Sequence, residues 1–237
     1  YGFKIIEDAS HAIGGSYKSK FIGDCKYSDI TVFSFHPVKI ITTAEGGAAL
    51  TNDIGLYDKM NLYRSHGITR NKEMMTEESH GPWYYQQLEL GYNYRMNELQ
   101  AALGISQISR LKEFVNRRHE LARKYNESLV DLPLKLPTQL SDSFSSFHLY
   151  IIRIKLTEVK KSHLQIFEEL RNSGIAVNIH YIPVHLQPYY KKLGFRKGDF
   201  PESERYYSEA ISIPLYPNLT PEDQIKVINS LAVALDK

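Results

Sequence analysis

Cysteine is nearly absent: the one thiol, Cys25, cannot form an internal disulfide, which excludes a disulfide-stapled scaffold and fits a reducing cytoplasm. Its plain role is that of a small filler beside a turn. Long apolar runs are missing too. No window approaches the roughly eighteen residues of a membrane span. YGFKII (1–6) looks like a core strand without the lead-in of a signal peptide. With no initiator methionine in front of it, the chain is expected to start in the middle of a domain. Neither sign of charge dominates, with 29 basic against 27 acidic residues for a formal +2, so no nucleic-acid or polybasic membrane partner is expected. Nine histidines occur, yet no Cys/His cluster has structural-zinc spacing, and no metal site is expected. No Gly-x-Ser-x-Gly elbow is found, which leaves a serine hydrolase unsupported.

What is present is a core-forming α/β pattern over 237 residues, 42% of them apolar and 17 of them tyrosine. Residues 3–6, 30–35 and 47–52 read as strands, the last reached through the Gly46-Gly47 turn. Helical patterning follows at 55–65, then a polar excursion over 68–90 that includes Gly81-Pro82 and Trp83-Tyr84-Tyr85. Long excursions of this kind in compact domains are often functional. Asn97 and Gln100 have the spacing of a helix N-terminal cap. Leu99, Leu103, Ile108, Leu111 and Val115 then give an apolar stripe that predicts one helix running to about Leu129. Pro133–Pro137 and the Ser-rich 141–146 stretch mark a boundary. Beyond it the pattern predicts strand 147–156, helix 161–171 ending at Gly174, strand 175–181, helix 201–209, strand 211–215 and helix 221–235. Thr220-Pro221 supplies the cap and first-turn pair of the last helix. Two domains are expected, 1–130 and 131–237.

Lys39 is the odd residue of the apolar stretch FSFHPVKIITTAEGG (33–47). Burying an ammonium is costly and depresses its pKa. A lysine neutral near physiological pH is a nucleophile able to form an imine with a carbonyl. On spacing alone, the plainer reading is that Lys39 snorkels to solvent from a strand end. Asp8 follows a strand, where α/β folds present their ligand sites, and His11 lies three residues on. If the chain turns helical there, both face one pocket; a strand-end carboxylate also serves simply as a cap. Ser34 is a hydroxyl in an apolar context and a candidate phosphate donor. Together, Asp8, His11, Ser34 and Lys39 are the parts that hold pyridoxal 5′-phosphate (PLP): an acid for the pyridine nitrogen, an aromatic base, a hydroxyl for phosphate and a lysine for the imine.

The motifs EDASHAIGG (7–15), FSFHPVKIITTAEGG (33–47), RSHGI (64–68), GYNYRMNELQAALG (91–104), HYIPVHLQPYY (180–190) and ISIPLYPNLT (211–220) run in order along essentially the whole chain. In this the chain closely resembles the DegT/DnrJ/EryC1/StrS family of PLP-dependent nucleotide-sugar aminotransferases. The resemblance implies the type I, aspartate aminotransferase-like fold. Residues 1–130 would form the C-terminal part of the large PLP-binding domain with a long connecting helix, and 131–237 a small α/β domain. It implies that Lys39 forms the internal aldimine and shuttles the proton, and that Asp8 pairs with the pyridinium nitrogen. His11 would lie against the ring near its 3′-oxygen, and Ser34 would contact the phosphate. Asn93 would reach the cofactor phosphate of a neighbouring subunit, so a homodimer with a shared active site is expected. His66, Arg95, His180, Tyr181 and His185 would face the sugar nucleotide. Within the family the details are most similar to the transaminases of pseudaminic acid synthesis, which aminate C4 of a UDP-linked 4-keto-6-deoxy-N-acetyl hexose with glutamate as donor.

Two departures stand out. Ala44 occupies a position where relatives commonly have glycine, which is harmless unless the backbone there needs a positive φ. The family also carries a substantial stretch before EDASHA, including several strands of the large domain and a phosphate-binding turn. The chain is therefore expected to represent the later part of a longer enzyme. A PLP-dependent sugar dehydratase of the same family is one alternative, although there the lysine is commonly replaced by histidine. A non-catalytic sugar-nucleotide-binding module is the other.

Overall fold

Strand formation begins later than the 3–6 run predicts. In the computed structural model, which describes residues 1–236, β1 covers Ile6–Asp8. β2 (Ser16–Tyr17) and β3 (Lys20–Phe21) form a small antiparallel hairpin. β4 (Ile30–Ser34) alternates in burial, with Thr31 and Phe33 inside, as β-branched and aromatic side chains on a half-buried strand should. It pairs parallel with β1, placing Asp8 opposite Val32. On its other side it pairs antiparallel with β5 (Gly47–Leu50), placing Ser34 opposite Gly47. A Cβ at Gly47 would come within 2.6 Å of the Phe33 carbonyl oxygen, so only glycine lets the return strand lie this close.

α1 (Ile54–Arg64) is capped by Asp53, whose carboxylate accepts from the Gly55 and Leu56 N–H groups. The 68–90 excursion carries structure of its own, a short hairpin of β6 (Ile68–Thr69) and β7 (Gln86–Gln87). Its anchor is the buried Gln86, whose side-chain oxygen accepts from Thr76 N at 2.7 Å while its nitrogen donates to the Glu77 carbonyl at 3.1 Å. α2 (Glu98–Ser109) opens on the reciprocal Asn97/Gln100 capping box.

The single long helix predicted from 97 to about 129 is two helices. α2 ends at Ser109, Arg110 is its cap, and α3 runs from Leu111 to Leu129. Ser109 Oγ turns back onto the Ser106 carbonyl at 2.8 Å, a local bond that competes with helix continuation. The stripe divides with the helices. No residue of α2 is buried, and Leu99, Leu103 and Ile108 are exposed, whereas α3 buries Phe114, Val115, Leu121, Ala122, Tyr125 and Leu129.

The chain accordingly separates into compact units Tyr1–Leu111 and Lys112–Lys237. The division lies ahead of the 130/131 boundary drawn from the Pro-rich stretch, because α3 contributes its apolar face to the core of the second unit. After α3 come β8 (Leu134–Lys135), β9 (Ser143–Phe144), β10 (Tyr150–Ile154), α4 (His163–Asn172), α5 (Pro188–Lys192), α6 (Pro201–Glu209), β11 (Ala210–Ile213) and α7 (Pro221–Ala234). β10 is the centre of an antiparallel sheet ordered β11-β10-β8. Ile152, Ile154, Ile166, Leu170, Ile211 and Leu231 are fully shielded in the core it shares with α3, α4 and α7. Truncating one of these to alanine costs on the order of 2–5 kcal/mol. Residues 175–181, predicted as a strand, make only the isolated bridge Asn178–Ser212. Ile175 and Val177 are buried on one face; their period-two pattern records that burial and not a ladder.

Arg118 of α3 is almost fully buried. Its Nη1 donates to the carbonyls of Phe147 and His148 at 3.1 Å and of Leu215 at 2.7 Å, and burial pushes its pKa down to about 10. The guanidinium thus satisfies three carbonyls within this unit.

Candidate active site

Asp8 stands at the C-terminal end of β1, where a parallel pair leaves its strand ends open to a ligand. The chain then makes a turn, not the helix needed for three-residue spacing to align side chains, with Ala12 N donating to the Ala9 carbonyl at 2.9 Å. Asp8 is gripped from inside this turn. Ser10 Oγ donates to its Oδ1 at 2.5 Å and Ser10 N at 3.1 Å. These bonds are the main reason its carboxyl lies below the ordinary carboxylate range, with His11 and Lys39 adding weaker electrostatic support. Ser10 was not among the residues singled out from sequence. The signal was there, since a serine two residues after an aspartate is Asx-turn spacing.

Lys39 is held by the loop between β4 and β5, its N–H donating to the His36 carbonyl at 2.9 Å. Its side chain is half-buried between Val38 and Ile40 in sequence. Burial lowers its pKa from the ordinary 10.5, partly offset by the Asp8 carboxylate. The structure therefore brings Asp8, His11 and Lys39 into one electrostatic neighbourhood. Ser34 closes β4, its Oγ accepting a long bond from His36 N at 3.4 Å. The loop returns to β5 through Phe35 N to the Gly46 carbonyl at 2.9 Å and Thr43 N to the Phe35 carbonyl at 3.0 Å. Ala44 in that return has φ +65°, the left-handed region that favours glycine.

A second cluster in the same unit gathers His66, Asn93 and Arg95. Ser65 and Asn93 form a β-bridge, and His66 N donates to the Tyr92 carbonyl at 2.7 Å. Gly67 is required at this crossing, because a Cβ there would overlap the Glu89 carbonyl. Arg95 Nε donates to Asn93 Oδ1 at 2.9 Å, and its Nη2 lies 3.3 Å from His66 Nε2. With its oxygen engaged by Arg95, the Asn93 amide has its two N–H donors left to offer an anion. Asn93 to Met96, Glu45 to Gly47 and Gln100 line a shallow hollow of about 400 Å³.

In the second unit the predicted site residues divide. Tyr181 is exposed and His180 half-buried, with the two rings edge to face at 4.6 Å. His185 is only 6% exposed. Its Nε2 lies 2.9 Å from Glu204 Oε1, and the Phe200 ring packs at 4.8 Å. Glu204 also accepts from Gly198 N at 2.6 Å, and these bonds hold its carboxyl below the ordinary range, the His185 bond contributing most. Nothing in the sequence marked Glu204 as the partner of a histidine 19 residues earlier. Among the described residues, no three His, Cys, Asp or Glu side chains gather as a metal site.

The profile of the DegT/DnrJ/EryC1/StrS aminotransferase family matches residues 1–232. The chain belongs to this family. Among relatives of the DegT/DnrJ/EryC1/StrS chain is the UDP-4-amino-4,6-dideoxy-N-acetyl-beta-L-altrosamine transaminase of Campylobacter jejuni. It is 36% identical over 238 residues, covering all of this chain and 60% of that protein. The solved structure of Helicobacter pylori PseC, an aminotransferase of pseudaminic acid biosynthesis, superposes with a TM-score of 0.88 at 33% identity, over 99% of this chain and 60% of that one. A sugar aminotransferase of Streptococcus pneumoniae in its PLP form gives a TM-score of 0.86 at 29% identity, over 98% of this chain and 58% of that one. The fold is the type I aminotransferase fold. This member of the family spans about 60% of the length of the curated relatives it matches. The residues present fit PLP: an ionised carboxylate with one oxygen tied back and a lysine amine made easier to deprotonate by burial are the donor set that the pyridine nitrogen and aldehyde require.

Proposed function

We propose that the protein carrying this chain is a PLP-dependent nucleotide-sugar aminotransferase. In this reading it moves the amino group of glutamate to C4 of a UDP-linked 4-keto-6-deoxy-N-acetyl hexose and works in the cytoplasm as a homodimer. Glutamate leaves as 2-oxoglutarate, and the keto sugar becomes the amino sugar. The observation that carries the reading is the electrostatic pairing of Lys39 with Asp8, the amine shifted down by burial and the carboxyl held ionised by Ser10.

When bound, PLP supplies the electron sink that lets a C–H bond next to nitrogen ionise. Asp8, kept anionic, holds a proton on the cofactor's ring nitrogen, and Ser10 keeps that carboxylate from turning away. Lys39 offers a nitrogen with a larger neutral fraction than an exposed lysine, so it would serve as the nucleophile toward the cofactor aldehyde and as the base that takes up the substrate's proton at Nζ. His11 would help hold the ring and Ser34 the phosphate. Asn93, oriented by Arg95, would offer its amide N–H groups to the cofactor phosphate of the second subunit. His66, Arg95, His180 and Tyr181 serve the sugar nucleotide, and His185 supports that segment from within.

The test is the visible absorbance of the PLP-loaded protein. Glutamate should bleach the cofactor band, and the keto sugar should restore it with release of an amino sugar detectable by mass. Lys39→Ala should abolish both changes while circular dichroism stays native. A normal glutamate response in Lys39→Ala would falsify the role of Lys39, and a deoxygenated product would move the protein to the dehydratases.

A further inference from the structure

We propose that Ser212 is a positioning residue that sets the orientation of His180 for the keto-sugar half of the reaction. The proposal rests on the reading of His180 as a sugar-facing residue, and on a local geometry that no motif announces.

Ser212 lies in the middle of β11, opposite Ile151 of β10. Its backbone is clamped from the other side as well. Ser212 N donates to the Asn178 carbonyl at 2.8 Å, and Asn178 N donates to the Ser212 carbonyl at 3.2 Å. Neighbours Ala210, Ile211 and Ile213 are all buried, and Ser212 itself is 5% exposed. A hydroxyl in that setting must find a partner or lose its hydration uncompensated. Its partner is His180 Nδ1, at 2.7 Å.

The antiparallel bridge explains how the two meet. Residue 180 lies two positions past Asn178, so period-two alternation returns it to the face of the 178–212 pair, diagonal to Ser212. The Ser212 backbone is held by the β10 ladder on one side and the Asn178 bridge on the other, whereas His180 stands on an irregular segment beyond that single bridge. Order therefore passes from serine to histidine. With Nδ1 engaged and Tyr181 edge-on at 4.6 Å, the imidazole cannot turn over without losing the bond to Ser212. Because the hydroxyl can donate or accept, the bond fixes where Nδ1 points in either tautomer of the ring. A ligand that hydrogen-bonds to this ring meets an imidazole held in one orientation instead of an averaged one.

Ser212→Ala removes one oxygen atom and no backbone bond, and Ser212→Thr keeps the hydroxyl. In PLP-loaded protein, Ser212→Ala is expected to raise KM for the keto sugar about threefold to tenfold, the value of one hydrogen bond. The half-reaction with glutamate should stay within about twofold of wild type, and Ser212→Thr should recover most of the loss. Nitrogen NMR of histidine-labelled protein, with the His180 signals assigned by a His180→Gln variant, reads the positioning independently of turnover. Wild type should show the Nδ1 shift of a hydrogen-bonded ring nitrogen at His180, and Ser212→Ala a displaced one. An unchanged His180 pattern in Ser212→Ala overturns the proposal whatever the kinetics show. A changed pattern with equal losses in both half-reactions also overturns it, because the ring would then not belong to the sugar side. Wild-type protein that fails to transaminate any keto sugar defeats the functional reading instead, while the NMR comparison still reports on the Ser212–His180 pair.

Discussion

Ala44→Gly isolates backbone strain beside Lys39. Ala44 has φ +65°, a conformation that costs an L-residue with a Cβ about 1–2 kcal/mol. Glycine removes that cost but loses about 0.5–1 kcal/mol more backbone entropy on folding. The methyl group is exposed, so deleting it forfeits almost no burial. The bonds that shape the turn do not involve it: Thr42 Oγ1 accepts from Ala44 N at 2.9 Å, and Thr43 Oγ1 donates to the Glu45 carbonyl at 2.8 Å. The net expectation is a gain of about 0.5–1 kcal/mol, which for a domain of this size is a rise in Tm of roughly 1–4 °C. Thermal and urea unfolding of the protein with and without the substitution would measure it, with Ala44→Val as the opposing control. A β-branched residue at positive φ should lower stability by more than the glycine raises it. An Ala44→Gly protein no more stable than wild type, together with a tolerated valine, would show that this turn relaxes out of the left-handed region and refute the strain assignment.

Ser10→Ala should weaken PLP binding about threefold to tenfold by equilibrium titration, because it removes the main bond orienting and ionising Asp8; unchanged affinity would make Ser10 a bystander. Lys39 should be trapped by pyridoxal and borohydride at lower pH than the surface lysines, since burial depresses its pKa. Asp8→Asn should move the midpoint lower still, because the Asp8 carboxylate raises that pKa; an upward shift, read by peptide mass spectrometry, would break the proposed coupling. For Glu204, the folded-state carboxyl lies below its ordinary 4.5, so the bond to His185 contributes stability above that pH and loses it as pH falls through the folded value. Wild type should therefore exceed Glu204→Gln in denaturant stability at pH 7, by a margin that narrows on acidification below 4.5. A pH-independent margin would mean the carboxylate charge has no part in it.

Short-range features were legible in the residues themselves. Asn97 with Gln100 and Thr220 with Pro221 begin helices where their spacing says they should, because a cap needs only the next turn of chain. Lys39 drew attention through its apolar neighbours, and burial does lower its pKa. The ordered motifs identified the family, since each encodes a local backbone shape or a functional side chain. Tertiary structure decided what depended on distant partners. It divided the predicted long helix at Arg110 and placed the unit boundary just beyond, between Leu111 and Lys112, because whether an apolar stripe is covered depends on what packs against it. It reduced 175–181 to one bridge, because alternation specifies a buried face but not a hydrogen-bonding neighbour. It took His185 into the interior on Glu204 and joined His180 to Ser212, pairs separated by 19 and 32 residues. Such pairs are set by strand register and helix packing, which no local pattern of side chains encodes.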